Sequence, residues 1–174
     1  AWSRQSGVGA YQLSSECAKY DFFNNTFVGD KDELYLPPMN LSGPDTPTLT
    51  FDVAYCQRTG TSNDMLEFFA SYDCGATWQN FYSYSGTNLN TAVSGPQSYA
   101  FTPSDPSQWR PEIVVLTGFN KPNVISKFVV TNDHGNNLFI DNVNLAQTVG
   151  LSKYSKQNSS LTLYPNPADR KSTR

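Results

Sequence analysis

Apolar and polar residues alternate with a period of two along most of the chain. Leu49, Phe51, Val53 and Tyr55 interleave with Thr48, Thr50, Asp52 and Ala54, the pattern of a strand with one buried face. Leu66, Phe68, Ala70 and Tyr72 repeat it, with Glu67 and Ser71 on the other side, and Trp78, Asn80, Tyr82 and Tyr84 follow. Further strands are predicted over 109–116, 124–131 and 138–145, with an early one over 17–23 and a short one over 33–36. Turn formers separate them, among them Ser42-Gly43-Pro44-Asp45, Thr59-Gly60-Thr61-Ser62-Asn63 and His134-Gly135-Asn136-Asn137. No long segment has the spacing of an amphipathic helix. About eight or nine strands at this spacing predict an all-β protein, a sandwich or barrel.

After Gln147 the pattern stops. Residues 148–160 include the polar run Ser-Lys-Tyr-Ser-Lys-Gln-Asn-Ser-Ser and read as a linker. Residues 161–174 begin a new unit. One domain is expected over residues 1–147.

Composition narrows the class. The 174 residues carry a net charge of −3, 14% aromatic residues and 16% charged ones, against roughly 25% charged in an average globular chain. Without a basic stripe, nucleic acid is excluded as a partner. No apolar run nears the roughly 20 residues of a membrane-spanning helix, so no membrane insertion is expected. The start at Ala1-Trp2-Ser3 reads as that of a processed or excised fragment. Cys17, Cys56 and Cys74 lack the Cys-x-x-Cys spacing of a zinc site. If the strands flanking Cys56 and Cys74 form a hairpin, those two lie too far apart to bond. Cys17 with either of the others, or three reduced thiols, remain the choices.

Several groups carry candidate chemistry. Asp30, Asp32 and Glu33 cluster at a strand start, and hard carboxylates at this density suit Ca²⁺. Asp141 is a fourth candidate. If its face, shared with Phe139, Val143 and Leu145, is buried, the carboxylate needs a cation or several hydrogen bonds; if Leu138 and Ile140 face inward instead, it is solvated. Phe81, Tyr99 and Trp109 are candidates for an aromatic platform under sugar rings. Trp78, Tyr82 and Tyr84, on one strand face, read as core, which leaves Phe81 the odd apolar residue on the exposed side. Ser71-x-Asp73-x-Gly75-x-Thr77-Trp78 fits an Asp-box turn: Asp73 accepts backbone N–H bonds, Gly75 takes positive φ, and Trp78 packs beneath. Asp boxes occur in sialidases, yet the motif is a folding device, and no catalytic residue is assigned. His134, the single histidine, sits in a polar loop and lacks the partners of a zinc site or the elbow of a serine hydrolase. Asn24, Asn40 and Asn158 sit in Asn-x-Ser/Thr sequons, read as incidental.

Two stretches carry a family likeness. Leu-Thr-Leu-Tyr-Pro-Asn-Pro-Ala, residues 161–168, resembles the opening of the C-terminal sorting domain of type IX secretion system cargo, with Tyr164, Pro165, Asn166 and Pro167 as its core. That resemblance implies export by the type IX machinery, followed by release or anchoring at the outer-membrane surface. The continuation to Arg174 is too short to complete such a domain, as in a truncated chain. The body resembles the jelly-roll, cleaved-adhesin and MAM-like modules of such cargo, above all the domain that follows the protease in cytophagalysin-type metalloproteases. The matching pieces are residues 32–37, 49–55, 136–143 and, most distinctive, Ser-Tyr-Asp-Cys-Gly-Ala-Thr-Trp within 64–78. The resemblance implies a jelly-roll β-sandwich and a structural Ca²⁺ near the first and last strands, with an acidic ligand that would precede Trp2. It also implies one of two roles. The chain is a non-catalytic secreted adhesin-type module for glycan or extracellular protein ligands, or an accessory domain of a metalloprotease that assists folding, docking or export. A free-standing enzyme ranks third, since no paired carboxylates or nucleophile–base set can be named.

Overall fold

The computed structural model describes residues 1–147. The linker and sorting-domain assignments, with Tyr164, Pro165, Asn166 and Pro167, lie outside the described residues. The chain forms a jelly-roll β-sandwich. Its strands are β1 (Trp2–Ser6), β2 (Glu16–Tyr20), β3 (Lys31–Met39), β4 (Pro47–Tyr55), β5 (Met65–Ser71), β6 (Gln79–Ser85), β7 (Arg110–Val115), β8 (Val124–Thr131) and β9 (Leu138–Gln147). One antiparallel sheet has the order β1-β2-β9-β4-β7, the other β3-β8-β5-β6. A four-residue helix, α1 (Gly86–Leu89), and two 3-10 turns sit in the connections. β1 and α1 were not expected from the sequence, and β3 extends beyond the predicted 33–36.

The period-two rows become the two inner faces. Leu49, Phe51, Val53 and Tyr55 of β4 meet Leu66 and Phe68 of β5 and Phe128 and Val130 of β8 in one core. The Phe51 ring stands edge-on to Phe128 at 5.0 Å and to Tyr82 at 5.3 Å, the offset geometry that aromatic quadrupoles prefer.

The five-stranded sheet also buries part of its outer face. Cys17, Ala54, Cys56 and Phe139 point away from the main core and are covered by Ala10, Ala92, Phe101 and Trp109. Loop residues before β2 and between α1 and β7 therefore cap this sheet. The outer face of the four-stranded sheet has no comparable second cluster among the described residues.

Register shifts interrupt the alternation in β3 between Leu36 and Met39, in β9 and in β6. In β9, Thr50 pairs with Asn144 and Asp52 with Asp141, so one extra residue sits near Asn142, which adopts φ 50°. Leu138 and Ile140 face the core, and so does Leu145 after the bulge. In β6, Phe68 pairs with Tyr82 and Phe69 with Asn80, which leaves Phe81 as the extra residue.

The hairpin premise for the cysteines fails, because β4 and β5 lie in different sheets. All three cysteines are free. Cys17 and Cys56 are buried and Cys74 is exposed.

Candidate functional site

The four candidate calcium ligands do not converge. β3 belongs to the four-stranded sheet and β9 to the five-stranded one. Asp30 accepts a hydrogen bond from Asn25 Nδ2 at 3.1 Å, and Asp32 accepts from the Glu33 N–H at 2.8 Å. Glu33 pairs with Lys127 Nζ at 2.6 Å, which holds its carboxyl below the usual range. Asp141 points to the outer face, where Oδ2 accepts from the Ala10 N–H and the Ser14 hydroxyl. It is therefore neither a core carboxylate nor a solvated one, but a tether for the capping loop. Among the described residues no group of three or more His, Cys, Asp or Glu side chains is placed to hold a metal. Asp30, Asp32, Glu33 and Asp141 therefore do not form one calcium site among the described residues.

The aromatic candidates also separate. Trp109 is 6% exposed and belongs to the second cluster. Tyr99 is exposed in the connection before β7, and Phe81 packs edge-on to Phe119 at 4.8 Å against the main core. No platform joins Phe81, Tyr99 and Trp109. Of the row expected in the core, only Tyr82 is there. The extra residue at Phe81 puts Trp78 out of phase with Tyr82, and Tyr84 emerges at the sheet edge, 40% exposed.

Trp78 lies instead on the outer face of the four-stranded sheet. The Lys127 ammonium sits 4.2 Å from its ring centroid and 5.4 Å from that of Tyr35. Tyr35 meets Trp78 edge-on at 6.1 Å and is 56% exposed. Beside them Asn80 Nδ2 donates to Glu67 at 2.8 Å. Lys31, Glu33, Glu67, Phe69, Trp78 and Lys127 wall a groove of about 200 Å³ over Val129. Its apolar floor and alternating charged walls follow from register: Glu33 pairs with Val129 and Val129 with Glu67, while Tyr35 pairs with Lys127 and Lys127 with Phe69.

The turn beside this groove is dense in hydrogen bonds. The Ser71 hydroxyl donates to Asp73 Oδ1 at 2.7 Å and accepts from the Gly75 N–H at 2.9 Å. Asp73 also accepts from the Thr77 N–H at 2.9 Å and the Thr77 hydroxyl at 2.6 Å. Those donors, Thr77 above all, hold the Asp73 carboxyl down to about 2. Gly75 takes φ +86°, and a Cβ there would lie 3.4 Å from the Trp78 ring.

His134 rests against Arg58, whose Nη1 lies 2.8 Å from the ring Nε2. The sequence reading missed the residue that organises this end of the sandwich. Asp64 is fully buried and its carboxylate accepts from the Tyr55 hydroxyl and from the backbone N–H groups of Asp133, Gly135 and Asn136. Its one sequence signal is a carboxylate set just before an apolar strand.

No protein-family profile matches the chain, and no curated protein matches it significantly. Solved structures do. A cleaved-adhesin domain of Lys-gingipain from Porphyromonas gingivalis aligns over 84% of this chain and 83% of its own, with a TM-score of 0.54 and 15% identity. A second such domain of Lys-gingipain aligns over 83% and 90%, with a TM-score of 0.53 and 15% identity. A carbohydrate-binding module specific for non-crystalline cellulose aligns over 84% and 88%, with a TM-score of 0.51 and 14% identity. At such identities the similarity is one of fold.

Proposed function

We propose that this chain is a non-catalytic, exported binding module that takes a saccharide along the outer face of its four-stranded sheet. The observation that carries this reading is the open aromatic strip of Tyr35 and Trp78 beside Glu33, Glu67, Asn80 and Lys127. Flat apolar rings next to hydroxyl-binding amides and charges are the chemistry that sugar faces and edges require. Lys127 lies over both rings, closer to Trp78, and the more exposed Tyr35 supplies the stacking surface with Trp78 as the wall. The opposite sheet is less suited, because its capping loops bury Trp109 and its open part presents the aliphatic Ile113 and Val115. The fold shared with adhesin and cellulose-binding domains supports a binding role, and the Tyr164–Pro167 motif supports export to the cell surface.

Glycan-array screening followed by calorimetry with the best soluble oligosaccharide tests this. Tyr35→Ala, at an exposed side chain, is expected to weaken binding roughly tenfold without lowering the melting temperature. Absence of any glycan ligand, or equal affinity of the variant, would overturn the proposal.

A further inference from the structure

β7 ends the five-stranded sheet and pairs only with β4. The Leu116 N–H donates to the Pro47 carbonyl at 2.9 Å, one step past the Thr48–Val115 pair. Antiparallel ladders alternate, so Glu112 and Val114 turn their N–H and C=O groups toward β4, and Pro111, Ile113 and Val115 turn theirs to the outer edge. Among the described residues no hydrogen-bond partner reaches those groups of Ile113 and Val115. The side chains of Ile113 and Val115 are 72% and 54% exposed on the outer face, while Val114 between them packs in the core. The other three sheet edges are blunted in the usual ways. β1 has five residues with Arg4 at its centre, paired to Glu16. β3 carries Lys31, Asp32 and Glu33 toward one end and Pro37 and Pro38 toward the other. β6 is bulged at Phe81. On β7 the charges stop at Glu112, which Arg110 balances, and the register with β4 runs without a shift. Its one proline, Pro111, guards only the start of the strand.

We propose that β7 pairs antiparallel with β7 of a second copy of this chain, about a two-fold axis at Val114, so that two sandwiches share one continuous sheet. Ile113 then lies opposite the partner's Val115, and each N–H donates to the other's carbonyl. The axis repeats the exchange on its other side. Val114 meets the partner's Val114 in a non-hydrogen-bonded pair, and the exposed aliphatic side chains pack across the seam. Pro111 falls past the end of this pairing, where its missing N–H breaks no bond. Shifting the register to set Ile113 opposite Ile113 would bring Pro111 opposite Val115 and lose a donor at each end. A second copy suits this edge because the strand is self-complementary and no like charges meet across it. The groove of Tyr35 and Trp78 lies on the other sheet and stays open in both copies.

Sedimentation velocity on the whole chain tests the proposal. A dissociation constant on the order of 100 µM suits an interface below about 1,200 Å², so dimer should appear as concentration rises from roughly tenfold below that value to tenfold above it. Ile113→Lys places a charge on the seam at an exposed position. It is expected to stay monomeric throughout with an unchanged melting temperature. Cross-linking reads the register. In a Cys74→Ser background, Ile113→Cys chains mixed with Val115→Cys chains are expected to form a mixed disulfide under mild oxidation, and neither variant to cross-link with itself. Tyr35→Ala is expected to dimerise as the parent does, which keeps this test separate from that of the sheet face. The proposal is overturned if the parent is monomeric at the highest concentration, if Ile113→Lys associates as the parent does, or if the mixed chains form no mixed disulfide. An edge taken by any other strand gives the first of those results.

Discussion

The Asp64 carboxylate and the Gly135 backbone are in contact so close that no side chain fits between them. Asp64 Oδ1 accepts from the Gly135 N–H at 3.1 Å, and a Cβ on Gly135 would overlap Asp64 Oδ2 and stand 2.9 Å from the Tyr55 hydroxyl. The backbone N–H groups of Asp133 and Asn136 complete the cradle. Asn136 in turn donates to the carbonyls of Gln97 and Tyr99, so the contact organises two loops. Gly135→Ala must push the β8–β9 loop off a buried carboxylate. It is expected to cost about 2–4 kcal/mol, the size of a broken buried hydrogen-bond network. Urea denaturation measures it, and a loss below about 0.5 kcal/mol, the ordinary scatter of surface changes, would refute the account.

Asp73 gives a prediction in acid. Its folded-state pKa of about 2 lies below the ordinary 3.8, so folding favours the ionised form. The stabilisation is complete above the unfolded value and is lost as pH falls through the folded one. NMR titration should place the Asp73 carboxyl midpoint near 2, with the Thr77 amide shifting in step. Thr77→Val removes the hydroxyl donor and should raise that midpoint. A midpoint near 3.8 in the parent chain would mean the turn does not hold the carboxylate as described.

The sandwich was legible because β4 alternates from end to end, and β5 and β8 each place apolar residues of one parity in the core. The candidate site was not legible, for a local reason. A single extra residue at Phe81 reverses parity within β6, so Trp78 leaves the row of Tyr82 and joins Tyr35 across the sheet. The one trace of that extra residue in the sequence is Phe81 itself, apolar on the side expected to be exposed, and alternation alone does not turn that into a bulge. Trp109 was misplaced for a different reason. A sheet whose outer face is capped by loops buries residues of both parities, and periodicity alone cannot tell a capped face from a wet one. Asp141 shows both effects: the bulge beside it separates it in phase from Leu145, and the cap supplies the donors that replace a cation.

The thiols should divide by environment. Burial, with Asp141 next, pushes the Cys17 thiol up to about 12, and burial raises that of Cys56. The thiolate is the reactive species, so both should resist alkylation in the folded protein. Cys74 is exposed at the turn. Iodoacetamide at mild alkaline pH followed by mass spectrometry should find one adduct, at Cys74, in native protein and three after denaturation. Rapid native labelling of Cys17 or Cys56 would contradict the burial.

Asp141 links the capping loop to that thiol chemistry. It anchors Ala10 and Ser14, and Ala10 packs in the cluster that holds Cys17. Asp141→Ala removes the acceptor from both donors and takes a negative charge from beside Cys17. The loop should open more often and the thiolate should become easier to form. Both effects speed Cys17 alkylation, by roughly tenfold for about 1.4 kcal/mol of lost tethering. Ser14→Ala removes one donor but keeps the charge, so it should raise the rate less. If the carboxylate works through these protein donors, neither calcium nor a chelator should change the Cys17 rate in the parent chain. A rate that falls with added calcium would show instead that a cation completes the tether.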